Sequence, residues 1–295
     1  MKKLLFTGAA TALVTPMKSD GSLNLEKYKE LIDFQIESGI DALVAVGTTG
    51  ENAVLSAAEH RALMECAVKA VNKRVPIICS TGSNDTGYCI ETTKAAQEAG
   101  ADGLLLVTPY YNKCTQKGLI AHYEKILENT SLPAIIYNVP SRTGVNISVD
   151  TCKVLSAHPQ IVGIKEASGD VSKAIKIIAA CQDDLAVYSG NDDLTVPLMS
   201  VGGKGVISVV SNIFPAMMHK MCRLCLDGDF KSASELTLQY SSLCDSMFAE
   251  VNPLPIKYAM NLMGYDVGEC RLPLGKIGEG AANAVKNELM KLKLI

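Results

Sequence analysis

Lys165 closes the run Ile161-Val162-Gly163-Ile164-Lys165, where an apolar stretch gives way to Glu166-Ala167-Ser168-Gly169-Asp170. A short β-branched run bounded by turn formers reads as a buried strand, and the lysine stands at its carboxyl end. An ordinary lysine has a pKa of about 10.4, so at pH 7 only about one molecule in 2,500 carries a neutral amine. Desolvation lowers that value and frees the amine to attack a ketone carbonyl. The iminium so formed is an electron sink, and the carbon beside it can become an enamine nucleophile. Each step moves a proton, which calls for a positioned hydroxyl. Tyr137, at the end of the apolar run Ala134–Tyr137, is the natural donor and acceptor. Arg142, in Pro140-Ser141-Arg142-Thr143-Gly144, offers a planar fork for a carboxylate. Thr49 and the amides of Gly47-Thr48-Thr49-Gly50-Glu51 suit the carboxylate of a 2-keto acid.

Taken singly, each of these signals has an ordinary structural explanation: a turn, a rim tyrosine, a solvated arginine. Their placement changes that. A unit of apolar strand, small or polar residues and amphipathic helix repeats along the chain. The expected strands are Ala9–Thr15, Ala42–Val46, Ile77–Ser80, Gly103–Val107, Ala134–Tyr137, Ile161–Lys165, Ala186–Tyr188 and Gly205–Val209. Helices are expected between them, for example over Asn24–Ser38, where Leu25, Tyr28, Leu31, Ile32 and Gln35 share one face and Asn24 offers a cap. Eight such units predict an α/β fold, a (β/α)₈ barrel whose chemistry gathers at the carboxyl ends of its strands. Thr108-Pro109-Tyr110-Tyr111-Asn112, Ser189-Gly190-Asn191-Asp192 and Val206-Ile207-Ser208 fall at the same end. No GxGxxG follows the first strand, which speaks against a dinucleotide fold. After Val210 the runs are all helical, so the barrel is assigned to residues 1–228 and a small C-terminal helical domain to 229–295.

Composition bounds the alternatives. A net charge of −3 with scattered Lys and Arg gives no footprint for nucleic acid. Met1-Lys2-Lys3-Leu4-Leu5-Phe6 begins like a signal peptide, but the run is broken before any cleavage site forms. With no uninterrupted apolar run long enough for a membrane span, a soluble, cytoplasmic protein is expected. Most of the ten cysteines lie inside apolar periodic segments and read as small hydrophobes. Cys222 and Cys225 have CxxC spacing without a second pair, and the four histidines are dispersed, so no metal site is expected.

Gly47-Thr48-Thr49-Gly50-Glu51, Tyr110-Tyr111-Asn112, Tyr137-Asn138-Val139-Pro140-Ser141-Arg142-Thr143-Gly144, Gly163-Ile164-Lys165-Glu166-Ala167-Ser168, Ser189-Gly190-Asn191-Asp192 and Gly205-Val206-Ile207-Ser208 occur in this order. Together with Asn252-Pro253-Leu254-Pro255 and Arg271-Leu272-Pro273, they resemble the dihydrodipicolinate synthase family of class I aldolases, relatives of N-acetylneuraminate lyase. The resemblance implies a Schiff base between Lys165 and pyruvate, with no other cofactor, and addition of the enamine to L-aspartate 4-semialdehyde at the start of lysine and diaminopimelate synthesis. It implies Tyr137 as general acid and base, linked through Thr48 to Tyr111, which in the family enters the neighbouring subunit's site. The resemblance thereby implies at least a tight dimer, and usually a homotetramer of two such dimers. Thr49 and the Ile207 backbone would contact pyruvate, Gly190 would line the pocket, and Arg142 would hold the semialdehyde carboxylate.

Two rival readings remain. One is a related lyase acting on N-acetylneuraminate or a 2-keto-3-deoxy sugar acid, against which Arg142 and the double threonine stand. The other is a non-catalytic barrel that binds a partner, which would be expected to have lost one of Lys165, Tyr137, Thr48 or Tyr111. In regulated family members lysine binds near the segments matching Asn52–His60, Gly82–Tyr88 and Tyr110. His60, Asn84 and Tyr110 match that pattern. Ala57 stands where a histidine is common and Tyr88 where a glutamate supplies charge, so weak or absent inhibition by lysine is expected.

Overall fold

The structure is a computed structural model describing residues 2–295; Met1, the start of the basic N-terminus, lies outside the described residues. Eight parallel strands close a barrel in chain order: β1 Gly8–Ala12, β2 Ala42–Ala45, β3 Ile77–Ser80, β4 Gly103–Val107, β5 Ala134–Asn138, β6 Ile161–Glu166, β7 Ala186–Ser189 and β8 Gly205–Ser208. Between them run α1 Leu25–Glu37, α2 Ala57–Val71, α3 Thr86–Ala99, α4 Gln116–Leu127, the single turn α5 Pro140–Thr143, α6 Val149–Ser156, α7 Val171–Cys181 and α8 Thr195–Met199. After β8 come α9 Pro215–Leu226, α10 Phe230–Ser246, α11 Leu254–Leu262 and α12 Glu279–Lys291. None of these helices is long and apolar enough to cross a membrane.

Alternation along the strands sorts the apolar residues into two cores. Ala10, Ala12, Val44, Ile78, Leu105, Ile135 and Ile207 point inward and fill the barrel. Ala9, Leu43, Ala45, Cys79, Leu104, Ile136 and Ile164 point outward against the helices. Tyr188 closes the interior: its ring stacks on Phe6 at 4.4 Å and its hydroxyl donates to the Phe6 carbonyl at 2.7 Å.

The helices begin where side chains can satisfy their first amides. Asn24 accepts from Lys27 N–H at 3.2 Å, and the buried face of α1 is Tyr28, Leu31, Ile32 and Gln35. Ser56 and Glu59 form a reciprocal capping box, which starts α2 at Ala57. Thr115 caps α4 with its hydroxyl, which accepts from Gly118 N–H at 3.1 Å. Strand β1 ends at Ala12, short of the expected Thr15, because side chains replace the ladder there. Val14 N–H donates to Asn212 Oδ1 at 3.1 Å, and Thr15 Oγ1 donates to the Gly50 carbonyl at 2.7 Å. Cys222 and Cys225 are buried in α9 among apolar neighbours.

Helices α10–α12 share the outer core with the barrel through Ala233, Leu243, Met247, Ile256, Val285 and Leu289. Two charged contacts tie this segment to the loop after β2. Lys257 Nζ lies 2.9 Å from Glu51 Oε1, both side chains essentially sealed from water, and it also donates to the carbonyls of Thr15 and Glu269. Arg271 grips Glu59 and donates to the carbonyls of Gly21 and Val54, while its own N–H donates to Glu51 Oε2 at 2.9 Å. Removing one partner of a buried ion pair leaves the other charge uncompensated. Lys257→Met is therefore expected to lower unfolding stability by about 3–5 kcal/mol in urea titration. An exposed pair such as Lys276–Glu269 should change it by less than about 1 kcal/mol when broken.

Candidate active site

Strand β6 carries one residue more than its neighbour. Ala134 pairs with Ile161, but Ile135 pairs with Gly163, so Val162 is an added residue in the ladder. The insertion reverses the alternation. Ile161 faces outward, and four residues on, Lys165 would do the same in a regular strand. Instead Lys165 stands opposite Tyr137 and points into the barrel mouth. Its Nζ lies 4.4 Å from the centre of the Tyr137 ring.

Both groups are almost fully buried, at 6% exposure for Lys165 and 7% for Tyr137. Burial pulls the Lys165 pKa down from 10.5 to about 8; the buried Asp192 carboxylate opposes this and the Arg142 charge adds to it. Burial pushes the Tyr137 phenol up, while Arg142 and the Thr48 hydroxyl beside it pull it back. The pair is thus an amine made easier to deprotonate beside a phenol that holds its proton.

Strand ends β5 and β6 are locked from the outside. Glu166 accepts from Asn138 Nδ2 at 2.9 and 3.1 Å, from Ser168 N–H at 2.7 Å, and pairs with Lys173 at 3.3 Å. Asn138 Oδ1 in turn accepts from Ile147 N–H at 2.9 Å. Glu166 and Asn138 directly follow Lys165 and Tyr137, which face the cavity.

The cavity above Lys165 has a volume of about 350 Å³. The structure brings Lys165, Tyr137, Thr48, Thr49, Arg142 and Gly190 together on its wall. Ile207 lies in the inner core two residues before Val209, and Val209 is the one that reaches the wall. Tyr111 is 92% exposed with φ +70°, and it lies off this wall. Arg142 sits on the single helical turn α5, started by Pro140 and ended by Gly144 in the left-handed region, where the sequence suggested only a loop.

Sequence reasoning missed one side of the cavity. Phe248, Glu250, Val251 and Asn252, in the link between α10 and α11, close it. Asn252 Nδ2 donates to Thr49 Oγ1 at 3.1 Å, and Arg142 Nη2 donates to the Asn252 carbonyl at 3.0 Å. The only sequence signal was the Asn252-Pro253-Leu254-Pro255 breaker.

Residues 5–292 match the dihydrodipicolinate synthetase family. The chain belongs to that family. The 4-hydroxy-tetrahydrodipicolinate synthase of Acetivibrio thermocellus is 47% identical over the whole of both chains. Among solved structures, the chloride-inhibited dihydrodipicolinate synthase of Acinetobacter baumannii in complex with pyruvate is 44% identical and superposes with a TM-score of 0.96, covering 98% of this chain and 99% of that one. A monomeric dihydrodipicolinate synthase variant is 40% identical with the same TM-score, covering 99% and 98%.

Within this dihydrodipicolinate synthetase fold, Gly190 shapes the space around the amine. A Cβ there would sit 2.5 Å from the Ala167 Cβ and 3.1 Å from Lys165 Cε. Neither neighbour is the free end of a flexible chain. Gly190→Ala is expected to leave the circular dichroism spectrum unchanged and to slow borohydride capture of a keto acid on Lys165 by on the order of 10²-fold, the cost of a displacement on the order of 1 Å at the reacting centre.

Proposed function

We propose that this chain acts as a 4-hydroxy-tetrahydrodipicolinate synthase, joining pyruvate to L-aspartate 4-semialdehyde. The observation that carries the reading is the buried Lys165 amine over the Tyr137 ring, in a cavity that also holds an arginine. Neutral Lys165 Nζ attacks C2 of pyruvate, and the carbinolamine loses water to give an iminium. Loss of a methyl proton turns this into an enamine, whose carbon attacks the aldehyde carbon of the second substrate. The substrate's own amine then adds to C2 and displaces Lys165, closing the ring. Tyr137, protonated and with its ring 4.4 Å from Nζ, delivers and recovers the protons; Thr49 receives the pyruvate carboxylate and Arg142 that of the semialdehyde. No cofactor beyond the covalent pyruvate is required.

Thr48 supports a relay to Tyr111 of a partner subunit, because Tyr111 projects from its own chain rather than onto its own cavity. We therefore infer a homotetramer of two tight dimers, in which each site is completed across the tight interface. Tyr111→Phe should lower kcat by on the order of 10², typical of a lost proton-transfer group, with the mass in sedimentation unchanged.

The deciding experiment is borohydride reduction in the presence of pyruvate, followed by peptide mapping. An adduct on Lys165 is expected; its absence from the folded protein would leave the binding-protein reading. Condensing activity with the semialdehyde, measured against cleavage of N-acetylneuraminate, separates the synthase from the related lyases. With a Lys165 pKa of about 8, the neutral fraction is about one in ten at pH 7 and one half at pH 8. Capture should therefore rise nearly tenfold per pH unit below 7 and level off above 9. A rise continuing beyond pH 10 would mean an ordinary lysine.

Ala57, His60 and Tyr88 line a separate cavity of about 170 Å³ between α2 and α3. Burial lowers the His60 pKa, so it brings no charge near neutral pH. Glu91 is the acid on this wall, and it is exposed to solvent. Half-inhibition by lysine is expected only at millimolar concentration or above; inhibition at micromolar lysine would overturn this.

A further inference from the structure

The semialdehyde assigned above as second substrate carries three groups that a site can recognise: the aldehyde, a carboxylate and, near neutral pH, an α-ammonium. The first two have partners in the functional reading, the enamine on Lys165 and the Arg142 guanidinium. The ammonium has none. Placed in a cavity that already contains Lys165 and Arg142, a third cation would be repelled unless a negative group faced it.

Among the described residues that line the cavity, Glu250 is the only acid. It lies in the link between α10 and α11 and is partly buried. Its Oε2 accepts from Gly278 N–H at 2.7 Å, at the start of α12, which fixes the direction of the carboxylate. Among the described residues that is the one hydrogen bond the Glu250 side chain makes, so Oε1 keeps its acceptor capacity. Arg142 is anchored on the same short segment, through its 3.0 Å bond to the Asn252 carbonyl two residues further on. Glu250 and Arg142 thus line the same cavity as the Lys165 amine, tied to one short segment.

We propose that Glu250 is the specificity residue for the second substrate, receiving its α-ammonium while Arg142 receives its α-carboxylate. The proposal rests on the functional reading above. Two opposite charges on one carbon, together with the aldehyde directed at Lys165, make a three-point attachment. Only the L enantiomer satisfies all three points, and an aldehyde acid without the amine leaves the Glu250 charge unpaired.

Glu250→Gln tests this because the amide oxygen can still accept from Gly278 N–H. The KM for L-aspartate 4-semialdehyde should rise at least tenfold with kcat within about twofold. Pyruvate capture on Lys165 should not change, nor should the inhibition constant of 4-oxobutanoate, the analogue that lacks the amine. Preference for the L over the D enantiomer should fall. Equal weakening toward substrate and analogue would assign Glu250 to supporting α12 and overturn the proposal, as would an unchanged KM. The unmodified protein gives a second test: it should bind the amino substrate at least tenfold more tightly than 4-oxobutanoate, and equal binding overturns the proposal without any variant. Failure of the underlying reading looks different, with no Lys165 adduct and no condensation in the unmodified protein.

Discussion

Placing an amine inside an apolar barrel costs the folded state free energy whenever that amine is charged. For Lys165 the fall in pKa from 10.5 to about 8 corresponds to about 3 kcal/mol. The sign follows from the depressed folded value: the penalty is fully present below pH 8 and fades as the pH climbs toward 10.5. Near neutrality the protein carries this strain permanently, and the remainder of the structure has to hold the lysine in place against it. The added residue Val162 turns the side chain inward, and the Glu166 contacts with Asn138, Ser168 and Lys173 keep the two strand ends from relaxing.

Comparison with Lys257 shows how differently two buried lysines are held in this fold. Both are buried to a similar degree, at 6% and 2% exposure. Lys257 sits 2.9 Å from a carboxylate and donates to two carbonyls, so its donors are all engaged and its charge is matched. Lys165 has an aromatic face at 4.4 Å and no carboxylate in contact. Asp192 acts on it only through space, and its own Oδ2 is taken up by the Val209 and Val210 amides at 3.1 and 3.2 Å. A ring can stabilise an ammonium without accepting its proton, and it leaves the nitrogen open once that proton has gone. Burial without an ion-pair partner is what pulls the Lys165 pKa down and leaves its amine open.

Most of the barrel was legible because its signal is local. Strands are bounded by Gly, Pro and polar clusters, and the observed limits of β3 and β4 coincide with the expected ones. Residues at strand ends could be grouped once the (β/α)₈ repeat was seen, since that topology alone brings Thr49, Tyr137, Lys165 and Gly190 to one face. The parity of β6 was not legible: nothing in Ile161-Val162-Gly163-Ile164-Lys165 marks Val162 as extra, and strict alternation puts Lys165 on the wrong side. The Glu51–Lys257 pair, whose partners are 206 positions apart, was equally hidden, as was Asn252 reaching Thr49. Long-range polar contacts leave no period in the sequence. Tyr111 falls between the two cases, visible as a motif but without a contact that one chain could supply.

The segment after the barrel matters because it binds both ends of the cavity at once. Asn252 holds the Thr49 hydroxyl through its side chain and the Arg142 guanidinium through its carbonyl. The two groups assigned to the two substrates' carboxylates are thus attached to a single residue. A shift of this link moves Thr49 and Arg142 together, and it cannot loosen one without disturbing the other. The buried Glu51–Lys257 pair sits at the root of this arrangement, fixing α11 to the loop that carries Thr48 and Thr49. An ion pair outside the cavity thereby sets the relative position of the two binding groups inside it.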